Sequence, residues 1–289
     1  MNIPKKFLSP GHNACAGCGE LSAAQAVMRG LNEKVIITNA TGCLEVTTTA
    51  YPQSAWGLPW IHSLFENASS VASGILAALK AKGDTETKVV AFGGDGGTYD
   101  IGIGLISGMW ERGENIVYIC FDTEAYSNTG FQASAATPYG ASTTTAPDGL
   151  NSIGSTTRKK DMIGIALAHG VKYIAQSTAG FPDDITNKVK KALATNGPAY
   201  IQILSPCIPG WKIKYDESAM MAKLAVKTGL YPLLEYTDGV LTGSSINANF
   251  KAGSVEDYLT EQGRFSHLKP EDLVMIKKIA DANILKYKI

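Results

Sequence analysis

Lys88-Val-Val-Ala-Phe-Gly-Gly-Asp-Gly-Gly-Thr98 decides how this chain is read. A short β-prone run, Lys88 to Phe92, ends in four glycines around Asp95, and a helical pattern begins at about Asp100. Glycine lets a backbone approach a ligand closely, and the leading amides of the following helix are free to face an anion. The stretch therefore predicts a phosphate site at the carboxyl end of a strand. A hard cation with oxygen ligands commonly completes such a site, and Asp95 at the loop centre is the carboxylate placed to bind Mg²⁺. A second run, Asn115 to Phe121, leads into Asp122-Thr123-Glu124-Ala125-Tyr126. Two strand ends thus deliver ligands to one crevice, where open α/β sheets bind cofactors.

Working outward, further β-rich runs at Lys34 to Thr38, Lys172 to Ala175 and Ala199 to Leu204 alternate with helical patterns at Gly19 to Leu31, Ser63 to Ala81, Asp100 to Arg112, Lys160 to Gly170 and Phe181 to Ala194. This alternation predicts an α/β class, a parallel sheet with helices on both faces. Residues 127–159, rich in Ser, Thr, Ala and Gly, form a connection long enough to be functional or an interface. After Trp211 charged residues become frequent and a helix is expected from about Pro270 to Tyr287. We divide the chain into a main domain, 1–211, and a C-terminal extension, 212–289, expected to act as an arm against a partner subunit.

The 289 residues, 45% hydrophobic, suffice for one large core. Twenty-six basic residues balance 26 acidic ones, so no general electrostatic attraction to nucleic acid or an anionic membrane is expected. No apolar run reaches the roughly 18 residues of a membrane span, and the first residues lack a signal-peptide core. A cytoplasmic location follows as an expectation.

Five cysteines do not make a secreted disulfide framework. Cys15-Ala-Gly-Cys18 precedes a helix, Cys43 follows Thr41-Gly42, and Cys207 sits in Ser205-Pro-Cys-Ile-Pro-Gly210 after the last main strand. Four thiolates hold either Zn²⁺ or a [4Fe–4S] cluster, and their spacing alone does not choose. Cys120 differs: it lies inside the apolar run Ile116-Val-Tyr-Ile-Cys-Phe121 and is expected to be a buried, inert thiol.

A Gly-Asp-Gly followed about thirty residues later by a strand end with an oxygen ligand resembles the thiamine-diphosphate fingerprint. By that resemblance Asp95, the Thr123 side chain and the Ala125 carbonyl bind Mg²⁺, while Gly94, Gly96 and Gly97 cradle the diphosphate. Thr123 stands where many such enzymes carry Asn, and both offer one neutral oxygen. Further blocks occur in order: Cys15-Ala-Gly-Cys-Gly19, Ala40-Thr-Gly-Cys-Leu-Glu-Val46, Trp56-Gly-Leu-Pro-Trp-Ile-His-Ser-Leu-Phe-Glu-Asn-Ala68, Glu124-Ala-Tyr-Ser-Asn-Thr-Gly130, Ala136-Thr-Pro-Tyr-Gly-Ala141, Gly197-Pro-Ala-Tyr-Ile201, Thr228-Gly-Leu-Tyr-Pro-Leu233 and Tyr258 to Leu268. Together they resemble the β subunit of pyruvate:ferredoxin oxidoreductase over essentially the whole chain.

The resemblance implies that Cys15, Cys18, Cys43 and Cys207 bind a [4Fe–4S] cluster, that Asn128 faces the substrate, and that Thr41, Gly42, His62, Phe65 and Glu66 line the cofactor cleft. A structural histidine is an equal reading of His62, and a turn residue bonded to local backbone is the plainer reading of Asn128. The implied reaction is reversible oxidative decarboxylation of pyruvate with coenzyme A to acetyl-CoA, CO₂ and reduced ferredoxin. The sequence shows one such α/β unit and no ferredoxin-type cysteine run. Partner subunits are therefore expected to supply the pyrimidine half-site, coenzyme A-related functions and ferredoxin-like clusters. Rival readings are a related enzyme acting on oxalate, 2-oxoisovalerate or 2-oxoglutarate, and, from another class, a zinc-stabilised nucleotide-binding module.

Overall fold

In a computed structural model, which describes residues 7–245 and 254–289, the chain runs α1 (Gly19–Gly30), β1 (Val35–Ala40), α2 (Cys43–Thr48), β2 (Trp60–Ser63), α3 (Ala68–Ala81), β3 (Lys88–Gly94), a π-helical turn (Gly96–Ile101), α4 (Ile103–Glu111), β4 (Ile116–Asp122), β5 (Asp148–Gly149), β6 (Ser152–Ile153), α5 (Met162–Ala168), β7 (Tyr173–Thr178), α6 (Pro182–Ala194), β8 (Ala199–Leu204), α7 (Ile208–Trp211), α8 (Ser218–Lys227), β9 (Leu233–Thr237), β10 (Val240–Ser245), α9 (Val255–Thr260), a 3₁₀ turn (Gly263–Phe265) and α10 (Pro270–Tyr287). Eight strands form one sheet in the order β10-β9-β7-β8-β4-β3-β1-β2. From β7 to β2 every pairing is parallel.

The α/β expectation holds, and the reason is visible along the strands. In β4, Ile116, Tyr118 and Cys120 join one core while Val117, Ile119 and Phe121 join the other. Successive side chains point to opposite faces, so a strand apolar throughout must be covered twice. Residues of α1 and α6 cover one face, and residues of α3, α4 and α5 cover the other.

The expected strands fall at β1, β3, β4, β7 and β8, and Cys120 is buried as read. Two boundaries and one part of the sheet differ. The helix expected from Ser63 begins at Ala68, because Trp60–Ser63 pairs in parallel with β1 as an edge strand. The helix expected at Asp100 is preceded by the π-helical turn, so helical backbone starts immediately after Asp95. Third, β9 runs antiparallel on β7 and β10 on β9, two strands the sequence reading did not anticipate.

The tail also builds a core of its own. Trp211, Met221, Ala225, Tyr231, Tyr258, Phe265 and Ile276 close over Leu204 and Ala141 of the main domain. The helix expected from Pro270 to Tyr287 is present as α10.

Candidate functional site

Strands β3 and β4 pair with Gly94 opposite Phe121, so Asp95 and Thr123 leave the sheet from neighbouring strand ends. The Thr123 hydroxyl lies 3.0 Å from Asp95 Oδ1 and 3.0 Å from the Ala125 carbonyl oxygen. The Thr123 N–H donates to the same Oδ1 at 3.1 Å. Oxygens about 3 Å apart match the edge of an octahedron around Mg²⁺ with ligands at roughly 2.1 Å. The other carboxylate oxygen, Oδ2, accepts from Ser134 Oγ at 2.5 Å. Burial, reinforced by the charge of Asp122, pushes the Asp95 carboxyl up to about 7. A cation at these oxygens would offset both causes and favour the carboxylate.

Gly96 is required by packing. A Cβ there would come within 2.3 Å of the Tyr126 ring. That ring stacks on Phe65 with centroids 5.7 Å apart, and its hydroxyl donates to Asp100 Oδ2 at 2.9 Å. The result is a cleft of about 90 Å³ lined by Thr41, Gly42, Phe65, Gly94, Asp95, Gly96, Gly97, Thr123, Ala125 and Asn128, all expected, together with Cys43. Asn128 is exposed at this cleft. His62 and Glu66 stand outside the lining. His62 is tied to it through Nε2, 2.8 Å from Thr41 Oγ1, while the Glu66 carbonyl packs at the Gly102 turn.

The cysteines converge at the same carboxyl edge. Cys18 caps α1, its sulfur accepting from Leu21 N–H at 3.4 Å. Gly19 N–H donates to the Pro206 carbonyl at 3.2 Å, which joins the Cys15–Cys18 loop to the Cys207 turn. Gly17, at φ +75, has no room for a side chain against the Tyr215 backbone. Burial pushes the Cys18 thiol up to about 12, with Glu20 adding to it. Cys43 is raised by burial, then Glu20, then by Cys207, Cys18 and Cys15. The four thiols thus feel one another, yet among the described residues no three His, Cys, Asp or Glu side chains are set out to hold a metal ion. Thiols that burial keeps protonated lose their protons to solvent when they bind a metal as thiolates, and this donor set suits a soft metal centre.

Several neighbours escaped the sequence reading: Glu20, Ser127, Ser134, Lys159, Trp211 and Arg264. Ser127 Oγ donates to Thr123 Oγ1 at 2.9 Å; burial raises the Cys207 thiol, and the nearby Ser127 hydroxyl opposes that rise. Lys159 bridges Asp122 at 2.5 Å and Glu124 at 2.8 Å, and Glu124 pairs with Arg264 at 2.7 Å. Burial alone would raise the Glu124 carboxyl, but Lys159 and Arg264 hold it below its ordinary value. Glu20 was legible as the second residue after Cys18; Arg264 carried no local signal. A larger cavity of about 490 Å³ lies behind this charge network, between Glu124 and α10, away from the glycine loop.

A doubly covered parallel sheet with a glycine loop and clustered oxygens on adjacent strand ends is the arrangement of a thiamine-diphosphate-binding enzyme domain, and the family match agrees. The family described as "Thiamine pyrophosphate enzyme, C-terminal TPP binding domain" matches residues 40–203. Pyruvate synthase subunit PorB of Methanothermobacter thermautotrophicus is 48% identical over 283 residues, covering 98% of each chain. Ketoisovalerate oxidoreductase subunit VorB of Pyrococcus furiosus is 39% identical over 96% of this chain and 93% of its own. In fold, the chain is similar to 2-oxoglutarate:ferredoxin oxidoreductase from Magnetococcus marinus, at a TM-score of 0.61 and 23% identity, covering 77% of this chain and 81% of that one. The chain belongs to the pyruvate synthase subunit PorB family and is one subunit of an enzyme of the 2-oxoacid:ferredoxin oxidoreductase type. Membership sets aside the nucleotide-binding module.

Proposed function

We propose that this chain is the catalytic subunit of a cytoplasmic pyruvate:ferredoxin oxidoreductase, holding thiamine diphosphate, Mg²⁺ and a [4Fe–4S] cluster. The observation that carries the reading is the joint placement of the Asp95, Thr123 and Ala125 oxygens and the four cysteines at one carboxyl edge of the sheet. No helix among the described residues is long and apolar enough to cross a membrane.

Asp95 Oδ1, Thr123 Oγ1 and the Ala125 carbonyl would hold Mg²⁺, with Ser134 fixing the remaining Asp95 oxygen. Gly94, Gly96 and Gly97 leave their backbone open to the diphosphate, while Phe65 and Tyr126 form one wall. Cys15, Cys18, Cys43 and Cys207 would hold the cluster. Bound thiamine diphosphate supplies a carbon nucleophile and electron sink, and the cluster a one-electron acceptor. Among the described residues the Asn128 amide has no hydrogen-bond partner, which leaves it available to orient the substrate. Ser127, bonded to Thr123 and close enough to Cys207 to influence its thiol, stands between the two cofactor sites. The sheet carries the diphosphate half only; a partner subunit supplies the carboxylate for the pyrimidine half, and others the coenzyme A-related part and ferredoxin-like clusters. Residues 212–289 pack on their own chain and present their outer face to those partners.

Anaerobic purification with partner subunits, followed by assay of pyruvate- and coenzyme A-dependent ferredoxin reduction, tests the reading. Activity is expected to need thiamine diphosphate and Mg²⁺ and to be absent from this chain alone. Iron and sulfide, about four of each per chain, should be lost in Cys43→Ala and retained in Cys120→Ala. Zinc without iron would remove the cluster, and a faster rate with 2-oxoisovalerate or 2-oxoglutarate would move the substrate.

A further inference from the structure

We propose that Arg264, delivered from the C-terminal extension, is a positioning residue for the metal-binding turn, so that the extension sets the chain's affinity for Mg²⁺ and diphosphate. The inference rests on the cofactor reading above. Two of the three oxygens come from Thr123 and Ala125, and the residue between them, Glu124, has φ +61. An L residue holds that left-handed conformation only where its surroundings enforce it. If Glu124 relaxes, the Ala125 carbonyl swings away from Asp95.

The surroundings are specific. Glu124 Oε2 accepts from Arg264 Nη2 at 2.7 Å and Oε1 from Lys159 Nζ at 2.8 Å. Its N–H donates to Asp122 Oδ1 at 3.1 Å, and its carbonyl accepts from Thr137 Oγ1 at 2.8 Å. The Thr123 carbonyl accepts from Trp211 Nε1 at 2.9 Å, and the Arg264 guanidinium lies over the Trp211 ring at 3.8 Å. Arg264 Nε is itself fixed by Gln262 Oε1 at 2.9 Å. Arg264 is 2% exposed and Glu124 5%. A pair this buried gains little net stability, because desolvation opposes its attraction. What it does supply is direction: a planar guanidinium, anchored through Nε on Gln262 and over the Trp211 ring, presents Nη2 to one Glu124 oxygen while Lys159 holds the other. Arg264 and Trp211 therefore act on the metal ligands through the backbone on either side of them. Lys159 does not replace Arg264, since it also binds Asp122.

The complex, isolated anaerobically with its partners and stripped of thiamine diphosphate and Mg²⁺, allows a direct test. Thiamine diphosphate retention is measured by equilibrium dialysis against Mg²⁺ concentration for wild type, Arg264→Gln, Arg264→Lys and Trp211→Phe, with melting midpoints and kcat recorded alongside. Loss of groups that orient metal ligands typically weakens metal affinity about tenfold to 100-fold. That rise in half-saturating Mg²⁺ is expected for Arg264→Gln, with partial rescue in Arg264→Lys, a smaller rise in Trp211→Phe, and kcat largely recovered at saturating Mg²⁺. A half-saturating Mg²⁺ within about twofold of wild type in Arg264→Gln overturns the positioning role, whatever the melting midpoint does. If that variant does not assemble, the same result in Trp211→Phe overturns it. Failure of wild type itself to bind thiamine diphosphate with Mg²⁺ overturns the cofactor reading, and is told apart by that.

Discussion

Asp95 divides its two oxygens between tasks, Oδ1 toward Thr123 and Oδ2 toward Ser134. Its carboxyl is raised from 3.8 to about 7 by burial and by Asp122, and Glu20 is raised to about 8 by burial and by Asp95. Across that window the unfolded chain has released protons that the folded chain still holds. The metal-free chain therefore loses stability from these groups as pH rises through about 4 to 8. Mg²⁺ takes the place of the Asp95 proton, so it should raise the melting midpoint more at about pH 8 than at about pH 5.5. Melting curves with and without Mg²⁺ at the two pH values check this, and equal increments would put the cation elsewhere. Asp95→Asn should abolish the difference. At this scale the sequence was informative for Asp95, Thr123 and the cysteines, because each stands at a strand end or in a turn that announces itself locally. It was silent on Ser134, whose value depends on which carboxylate the 127–159 connection happens to meet.

The functional element is β3 with the glycine loop and the π-helical turn behind it. Its fit depends on Gly96, where an added Cβ would press on a Tyr126 ring held by Phe65 and Asp100. Gly96→Ala should destabilise the chain by about 1–3 kcal/mol, the usual cost of overpacking, and should weaken thiamine diphosphate binding. Gly42→Ala is the control: a Cβ there meets nothing within 4 Å and the backbone is extended, at φ 169. Its melting midpoint should stay near wild type. Thermal melts of both variants decide whether Gly96 matters by packing or whether any cleft glycine is equivalent. The strand and helix were legible from periodicity, but the π turn was not. A one-residue change in hydrogen-bond register leaves the apolar pattern of Ile103–Glu111 intact. The edge strand β2 escaped for a related reason: four residues are too few to show a period, and only pairing with β1 makes them a strand.

At the scale of the molecule, the tail completes the fold. Strand β9 covers the open side of β7, and Met221, Ala225, Tyr258 and Phe265 close over Leu204 and Ala141. A fragment ending at Trp211 would leave that edge and that apolar surface in water, and unpaired edges aggregate. It should be insoluble or melt without cooperativity. A soluble 1–211 fragment with a sharp urea transition would instead make residues 212–289 the separable arm of the sequence reading. The sequence did carry a clue, since Asp238-Gly239 between Thr237 and Val240 is a hairpin turn, with φ +48 and +77.

The sequence by itself determined the α/β class, the five main strands and the buried place of Cys120, and it singled out Asp95, Thr123 and the other four cysteines as candidates. Each depends on signals within a few residues: alternation, helical period, glycine at a strand end, cysteine in a turn. Only the tertiary structure decided that β9 and β10 join the sheet, that Ser127 and Ser134 stand against Thr123 and Asp95, and that Arg264 reaches Glu124 across 140 positions. Such contacts are chosen by how helices and strands pack after they form, and a residue's neighbours in sequence carry no trace of that choice.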